Sequence, residues 1–269
     1  MSETVAVLGA GRMGEALLSG MLRAGRPASD LCFTERHSDR VDELTEKFGV
    51  TALTAAAAAK RADTLVVAVK PQEIGELLDD LEGAVTVDTL VISIVAGVPT
   101  TTFEKRFPDG TAVVRVMSNT PVFVDEAMSA ISAGTHADET HLARTEDLLK
   151  PVGKVIRIPE SQLDAVTALS GSGPAYFFFL VEAMIDAGIL LGLPRQVAAE
   201  LIVQTAIGSA IMLRDSGQHP VQLREAVTSP GGTTIAAIRE LENHGVRAAF
   251  LSALEAARDR SRELAAGSG

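Results

Sequence analysis

Val5-Ala6-Val7-Leu8-Gly9-Ala10-Gly11-Arg12-Met13-Gly14 decides the fold of the N-terminal half of the chain. Four consecutive apolar residues predict a buried strand, and the apolar spacing that follows predicts a helix from about Met13 to Ala24. Between them stands Gly-x-Gly-x-x-Gly in the context it requires, a strand before and a helix after. The first glycine permits a tight turn, the second lets a pyrophosphate approach the backbone, and the third lets helix and strand pack closely. Unpaired amides and the positive end of the helix dipole then face the anion.

Working outward, Leu31-Cys32-Phe33-Thr34 is a second strand that ends at Glu35-Arg36. Glu35 follows Gly14 by 21 residues, the place where such a fold sets the residue facing the adenosine ribose. Glu35 alone would select NAD through the 2′-hydroxyl, whereas Arg36 beside it suits a 2′-phosphate, so the pair points both ways. A solvated strand end is the plainer alternative. A helix over 41–48, a strand over 64–69, a helix over 72–81 and a strand over 90–95 continue the alternation. Right-handed crossovers and a parallel sheet follow from it. Another strand runs from Val113 toward Asn119-Thr120-Pro121, and Ala127–Ser132 and Gly153–Ile158 read as strands around a helix over 139–150. Lys70-Pro71, Ala96-Gly97 and Asn119 each follow a strand at its carboxyl end, the side on which open α/β sheets bind ligands. Lys70 is a contact for cofactor or substrate oxygens, or else a surface lysine.

Beyond Pro159 only helical periods remain, over 162–193, 195–216, a short stretch after Pro220, 233–244 and 247–266. The expected architecture is therefore an α/β dinucleotide-binding domain of Rossmann type over 1–160 and an all-α domain over 161–269. Within the second part, Val227-Thr228-Ser229-Pro230-Gly231-Gly232-Thr233-Thr234-Ile235 opens a helix near Thr233. Its first amides suit a small anion, and because the stretch has no Lys or Arg, a carboxylate there would be held by amides and hydroxyls. An ordinary capped helix is the alternative.

Composition narrows the partners. A formal charge of −11 argues against nucleic acid and anionic membrane. Cys32, the only cysteine, leaves no disulfide framework or thiolate-rich metal site and fits the cytoplasm. No metal site is expected, and with Glu3 and no basic stretch before the first apolar run, no signal peptide is expected either. The segment 175–193 is nearly long enough to span a bilayer, but Glu182 and Asp186 fall mid-segment on one helical face and would be costly in lipid. Burial against a second subunit is the expectation instead.

These stretches together resemble the pyrroline-5-carboxylate reductase family, whose reaction is the last step of proline biosynthesis. The resemblance rests on Gly9–Gly14, Val69-Lys70-Pro71, Ala96-Gly97, Asn119-Thr120-Pro121, the run from Asp164 to Tyr176, Leu193-Pro194 and Val227–Ile235. It implies an NADPH-binding N-terminal domain, with NADH as an alternative, and a helical domain that interlocks with a second subunit in a homodimer, sometimes assembled into a larger ring. It implies a cofactor lining of Leu8, Gly9, Ala10, Gly11, Arg12, Met13, Gly14, Glu35, Arg36, Ala68, Val69, Lys70, Pro71, Ile94, Val95 and Ala96, to which the position of Asn119 adds that residue. Ser229, Gly232, Thr233 and Thr234 would hold the carboxylate and ring nitrogen of 1-pyrroline-5-carboxylate, with Thr167 close by. Two positions depart from the family pattern. Glu35 stands where many members have Asn or Ser, and Ala226 where some have Asn.

The expected reaction is hydride transfer to C5 of the cyclic imine, giving proline. A protonated imine needs orientation more than a strong acid, and Thr234 is the expected partner of the ring nitrogen. Two rival readings are a hydroxy-acid dehydrogenase of related build and a dinucleotide-sensing regulatory module. The first needs a proton acceptor, yet the helix after Gly171-Ser172-Gly173 continues Pro-Ala-Tyr-Phe-Phe-Phe without Lys. His37, His136, His141, His219 and His244 read as solvated surface. Tyr176 could donate a proton, although an aromatic leading three phenylalanines reads as core.

Overall fold

The computed structural model describes residues 3–265 and 267. The chain divides into two compact units, Met1–Ser172 with Ala257–Gly269, and Gly173–Ala256.

In the first unit, β1 (Val5–Leu8) is completely buried and sits between β2 (Leu31–Thr34) and β4 (Thr64–Val67). β3 (Thr51–Ala52) extends one edge; β5 (Leu90–Ser93), β6 (Val113–Met117), β7 (Ala127–Ala133) and β8 (Gly153–Arg157) extend the other, in the order β3-β2-β1-β4-β5-β6-β7-β8. The chain reverses its direction of growth between β1 and β4, the switch point at which doubly wound sheets bind ligands. One face is packed by α1 (Arg12–Arg23), α2 (Ser38–Phe48) and α6 (Glu139–Leu149), which contribute Leu17, Leu18, Leu44 and Leu148. α3 (Ala55–Arg61), α4 (Ile74–Asp80) and α5 (Thr100–Glu104) cover the other through Ala58, Leu77 and Phe103. Burial on both faces accounts for the unbroken apolar runs of the central strands.

Several expectations are corrected here. The strands expected over 64–69 and 90–95 end at Val67 and Ser93, because the next residues turn out of the sheet toward its ligand-binding edge. β3 and α5 had no sequence signal long enough to read. The sheet is not parallel throughout, since β7 runs antiparallel to β6. Only a short 3₁₀ segment, Thr120–Val124, joins those two strands, too little chain for the crossover that parallel pairing requires.

The helix expected over 162–193 is interrupted. α7 (Leu163–Val166) passes into a π-turn over Thr167–Gly171, where the Ser172 amide bonds the Thr167 carbonyl at 2.8 Å, and α8 (Gly173–Leu190) follows. Pro174 lacks an amide proton, so the regular ladder cannot run through it; the wider turn just before it takes up the mismatch.

The second unit is helical, comprising α8, α9 (Arg195–Asp215), α10 (Pro220–Ala226), α11 (Thr233–Asn243) and the first part of α12 (Val246–Ala265). α8 and α9 approach closely: a Cβ on Gly188 would stand 2.8 Å from the Ala198 Cβ. Most of the apolar surface stays outside. Phe177, Phe178 and Phe179 are 64%, 69% and 74% exposed, and Leu190 and Leu191 more so. The three phenylalanines are therefore not core within one protomer. By length and composition, the stretches Glu160–Leu190 and Arg195–Asp215 could cross a membrane.

Candidate active site

The glycine turn is built as its spacing requires. Gly9 has φ +94°, a left-handed value that side chains disfavour, and a Cβ there would lie 2.9 Å from Val69 Cγ1. Its amide donates to Thr34 Oγ1 at 3.0 Å, and the Ala10 amide to the Thr34 carbonyl at 2.9 Å, tying the turn to the end of β2. A Cβ on Gly14 would overlap the Gly9 carbonyl oxygen. A Cβ on Gly11 meets nothing within 4 Å. Internal packing thus demands glycine at 9 and 14 but not at 11. The bare backbone of Gly11, at the N-cap of an α1 that has no side-chain cap, fits the approach of a pyrophosphate.

A cavity of about 1050 Å³ opens beside this turn. Gly9, Gly11, Arg12, Glu35, Arg36, Ala68, Val69 and Lys70 line it. Leu8, Ala10, Gly14 and Val95 are buried behind the wall and shape it, while Met13, Pro71, Ile94, Ala96 and Asn119 lie outside this lining. Asn119 serves the fold: its amide donates to Ser170 O and Ser170 Oγ at 3.2 Å each, and its oxygen accepts the Met128 amide at 2.9 Å. Thr167, in the same unit, donates its hydroxyl to the Leu163 carbonyl at 2.9 Å.

Sequence reasoning missed Glu15, His37 and Arg40, all on the cavity wall. His37, read as solvated surface, is exposed and lines the cavity as well. The Arg40 guanidinium meets Glu15 and Glu43, each at 2.6 Å, and Lys47 reaches Glu15 at 2.8 Å. The hydrogen bond from Lys47, joined by that from Arg40, holds the Glu15 carboxyl below its ordinary value. Arg40 stands in the first turn of α2, which starts at Ser38, so its place beside the end of β2 follows from where that helix begins.

In the second unit, Gly232 caps α11 without a side-chain hydrogen bond, so the first-turn amides of the helix have no partner from the cap. The Gly232 amide donates to the Ser229 carbonyl at 3.1 Å, and a Cβ on Gly232 would press to 2.5 Å from Ser229 Oγ. Ser229 and Thr233 are exposed; Thr234 is half-buried at the head of the helix. The loop and its hydroxyls thus converge on one helix end.

A doubly wound sheet, a glycine turn at its switch point and a large cavity beside that turn define the class, a dinucleotide-binding protein of Rossmann type. Residues 4–97 match the family described as NADP oxidoreductase, coenzyme F420-dependent, and residues 160–264 match pyrroline-5-carboxylate reductase dimerisation. A pyrroline-5-carboxylate reductase of Corynebacterium melassecola is 43% identical over 265 residues, covering 97% of this chain and 98% of the relative. The crystal structure of the Coxiella burnetii enzyme is 37% identical with a TM-score of 0.93, over 98% of this chain and 99% of that one. The Plasmodium falciparum enzyme, solved with NADP bound, is 28% identical with a TM-score of 0.87, over 98% of each chain. The chain belongs to the pyrroline-5-carboxylate reductase family.

Proposed function

We propose that the protein reduces the C=N bond of 1-pyrroline-5-carboxylate to give L-proline, using NADPH, with NADH as the alternative donor. The single observation that carries this reading is full-length kinship with the Corynebacterium melassecola reductase. The uncapped, cation-free head of α11 supports the choice of a small carboxylate substrate.

When bound, the reduced nicotinamide supplies the hydride that C5 of the imine accepts, and the ring nitrogen, keeping its proton, ends as an amine. The chain binds and orients. The bare backbone at Gly11 and the amides of α1 hold the pyrophosphate, and the Gly232–Thr234 amides with Ser229 hold the substrate carboxylate. Thr234 bonds the ring nitrogen, with Thr167 as a second hydroxyl. Ala68, Val69 and Lys70 make the remaining cofactor wall, with Pro71, Ile94, Val95 and Ala96 at the adjoining strand ends. A preorganised set of neutral groups suffices, amides donating to the carboxylate and the Thr234 hydroxyl accepting from the ring N–H, because the protonated imine is already electrophilic.

The exposed faces of α8 and α9 are those of a homodimer, in keeping with the dimerisation match. A helical dimerisation and substrate-binding domain over 161–269, further assembly of dimers into a ring, a cytoplasmic location and the absence of membrane or nucleic-acid partners complete the reading. The test is absorbance at 340 nm during incubation with pyrroline-5-carboxylate, with NADPH and NADH in parallel. Substrate-dependent oxidation and formation of proline are expected; cofactor binding without turnover would overturn the reading.

A further inference from the structure

Arg12 is the first residue of α1, where the positive end of the helix dipole disfavours a cation unless an anion lies nearby. The acidic side chain of that first turn, Glu15, is occupied by Arg40 and Lys47. The other two arginines on the cavity wall are paired as well, Arg36 with Glu76 at 2.8 Å and Arg40 with Glu15 and Glu43 at 2.6 Å each. Arg12 has no hydrogen bond or ion pair among the described residues. Its guanidinium carbon lies instead over the Phe123 ring, 4.8 Å from the centroid. The segment that carries this ring is fixed to the same helix a second time, by the ion pair of Arg23 with Asp125, and Val122 beside Phe123 is buried. Arg12 and Phe123 both line a second cavity, of about 320 Å³, between α1 and that segment, so Arg12 stands between this cavity and the larger one.

We infer that Phe123 is a positioning residue, its ring holding the Arg12 guanidinium beside the glycine turn as a charged clamp on the dinucleotide pyrophosphate. The inference rests on the reductase reading and its dinucleotide. A cation–π contact engages the charge of a guanidinium and leaves its five N–H donors unspent, so an arginine seated on a ring is oriented and still able to grip a phosphate through paired bonds. A carboxylate in the place of Phe123 would orient Arg12 equally well but would compete with the phosphate for those donors. Gly11, immediately before Arg12, is the glycine around which internal packing leaves open space, so bare backbone and guanidinium act from adjacent residues of one turn. Because the pyrophosphate is common to NADPH and NADH, the clamp sets affinity for both and does not choose between them.

Calorimetric titration of the full-length enzyme with NADPH, NADH and adenosine 2′-monophosphate, which carries no pyrophosphate, tests this. R12Q should weaken NADPH and NADH alike by about 10- to 100-fold, the worth of hydrogen bonds to a charged group, and leave the monophosphate within about twofold. F123L, which keeps apolar bulk and removes the ring, should weaken both dinucleotides by about two- to fivefold, the worth of an exposed cation–π contact, and F123Y should restore them. The decisive comparison is the double variant R12Q/F123L, which should bind no more weakly than R12Q, because the ring acts through the guanidinium; a role of Phe123 in packing alone would add its loss in either background. A loss in R12Q confined to NADPH, wild-type affinity in F123L, or a F123L loss that persists in full without Arg12 would overturn the inference, while turnover of pyrroline-5-carboxylate by the wild-type enzyme leaves the reductase reading intact. A wild-type enzyme that binds neither dinucleotide would overturn both.

Discussion

Gly14 lies so close against Gly9 that a methyl group on the one would collide with the carbonyl oxygen of the other. This contact lets α1 start immediately beneath the turn and aim its amides at the switch point. Gly11, midway between them, has no such constraint, and the three glycines therefore fail differently when replaced. Gly14→Ala and Gly9→Ala should each lower stability by about 1–3 kcal/mol, the first from overlap and the second from a left-handed backbone. Gly11→Ala should leave the melting temperature unchanged and weaken NADPH at least about tenfold, through the steric bulk it places against the pyrophosphate. Scanning calorimetry beside cofactor titration separates the two behaviours; a Gly11→Ala protein with full cofactor affinity would remove the turn from pyrophosphate binding.

Thr234 heads α11 and is half-buried there. Thr234→Ala should reduce kcat by ~10–1000-fold, the range of one or two transition-state hydrogen bonds, whereas Thr234→Ser, which keeps the hydroxyl, should recover most of it. Steady-state kinetics with a melting control decides the matter. Near wild-type turnover in the alanine variant would take Thr234 out of the mechanism.

Phe178 and Phe179 leave most of their ring surface outside a single protomer. Replacing both by Ser should raise the dimer dissociation constant by at least ~30-fold, as expected when buried aromatic anchors worth about 2 kcal/mol or more are lost. Sedimentation velocity over a dilution series measures it. An unchanged dimer would place the subunit contact on other helices.

Asp63 accepts both the backbone amide and the hydroxyl of Thr4 at 2.8 Å, joining the segment before β1 to the start of β4. The backbone hydrogen bond, with that from the hydroxyl, holds its carboxyl below the ordinary value. A depressed native pKa contributes stability that is present above the unfolded value of about 3.9 and lost as pH falls through the native one. Asp63→Asn should therefore be less stable at pH 7 and show a shallower decline in melting temperature below about pH 4. Parallel slopes for the two proteins in that range would refute the assignment.

Much of this molecule was legible in one dimension. Val5–Leu8 and the three glycines fall within ten consecutive positions, and the turn they make depends first on local backbone conformation and on the contact of Gly14 with Gly9, so β1, the turn and α1 could be read directly. The same holds for Gly232 and the threonines at the head of α11, where local chain geometry alone exposes the amides. Tertiary structure decided what distant residues do to one another. Glu35 is a candidate ribose hook by spacing, but its carboxylate is bound to the amides of Arg36 and His37. Asn119 stands at a strand end like a ligand contact, yet Ser170, far along the chain, and the Met128 amide on the neighbouring strand occupy its side-chain amide. Arg40 and Glu15 meet only because α1 and α2 pack on the same face of the sheet. The sequence by itself determined where the backbone can turn and present amides, because those are local steric facts; only the packed fold decided which side chains remain free for a ligand, because hydrogen-bond partners are assigned in space.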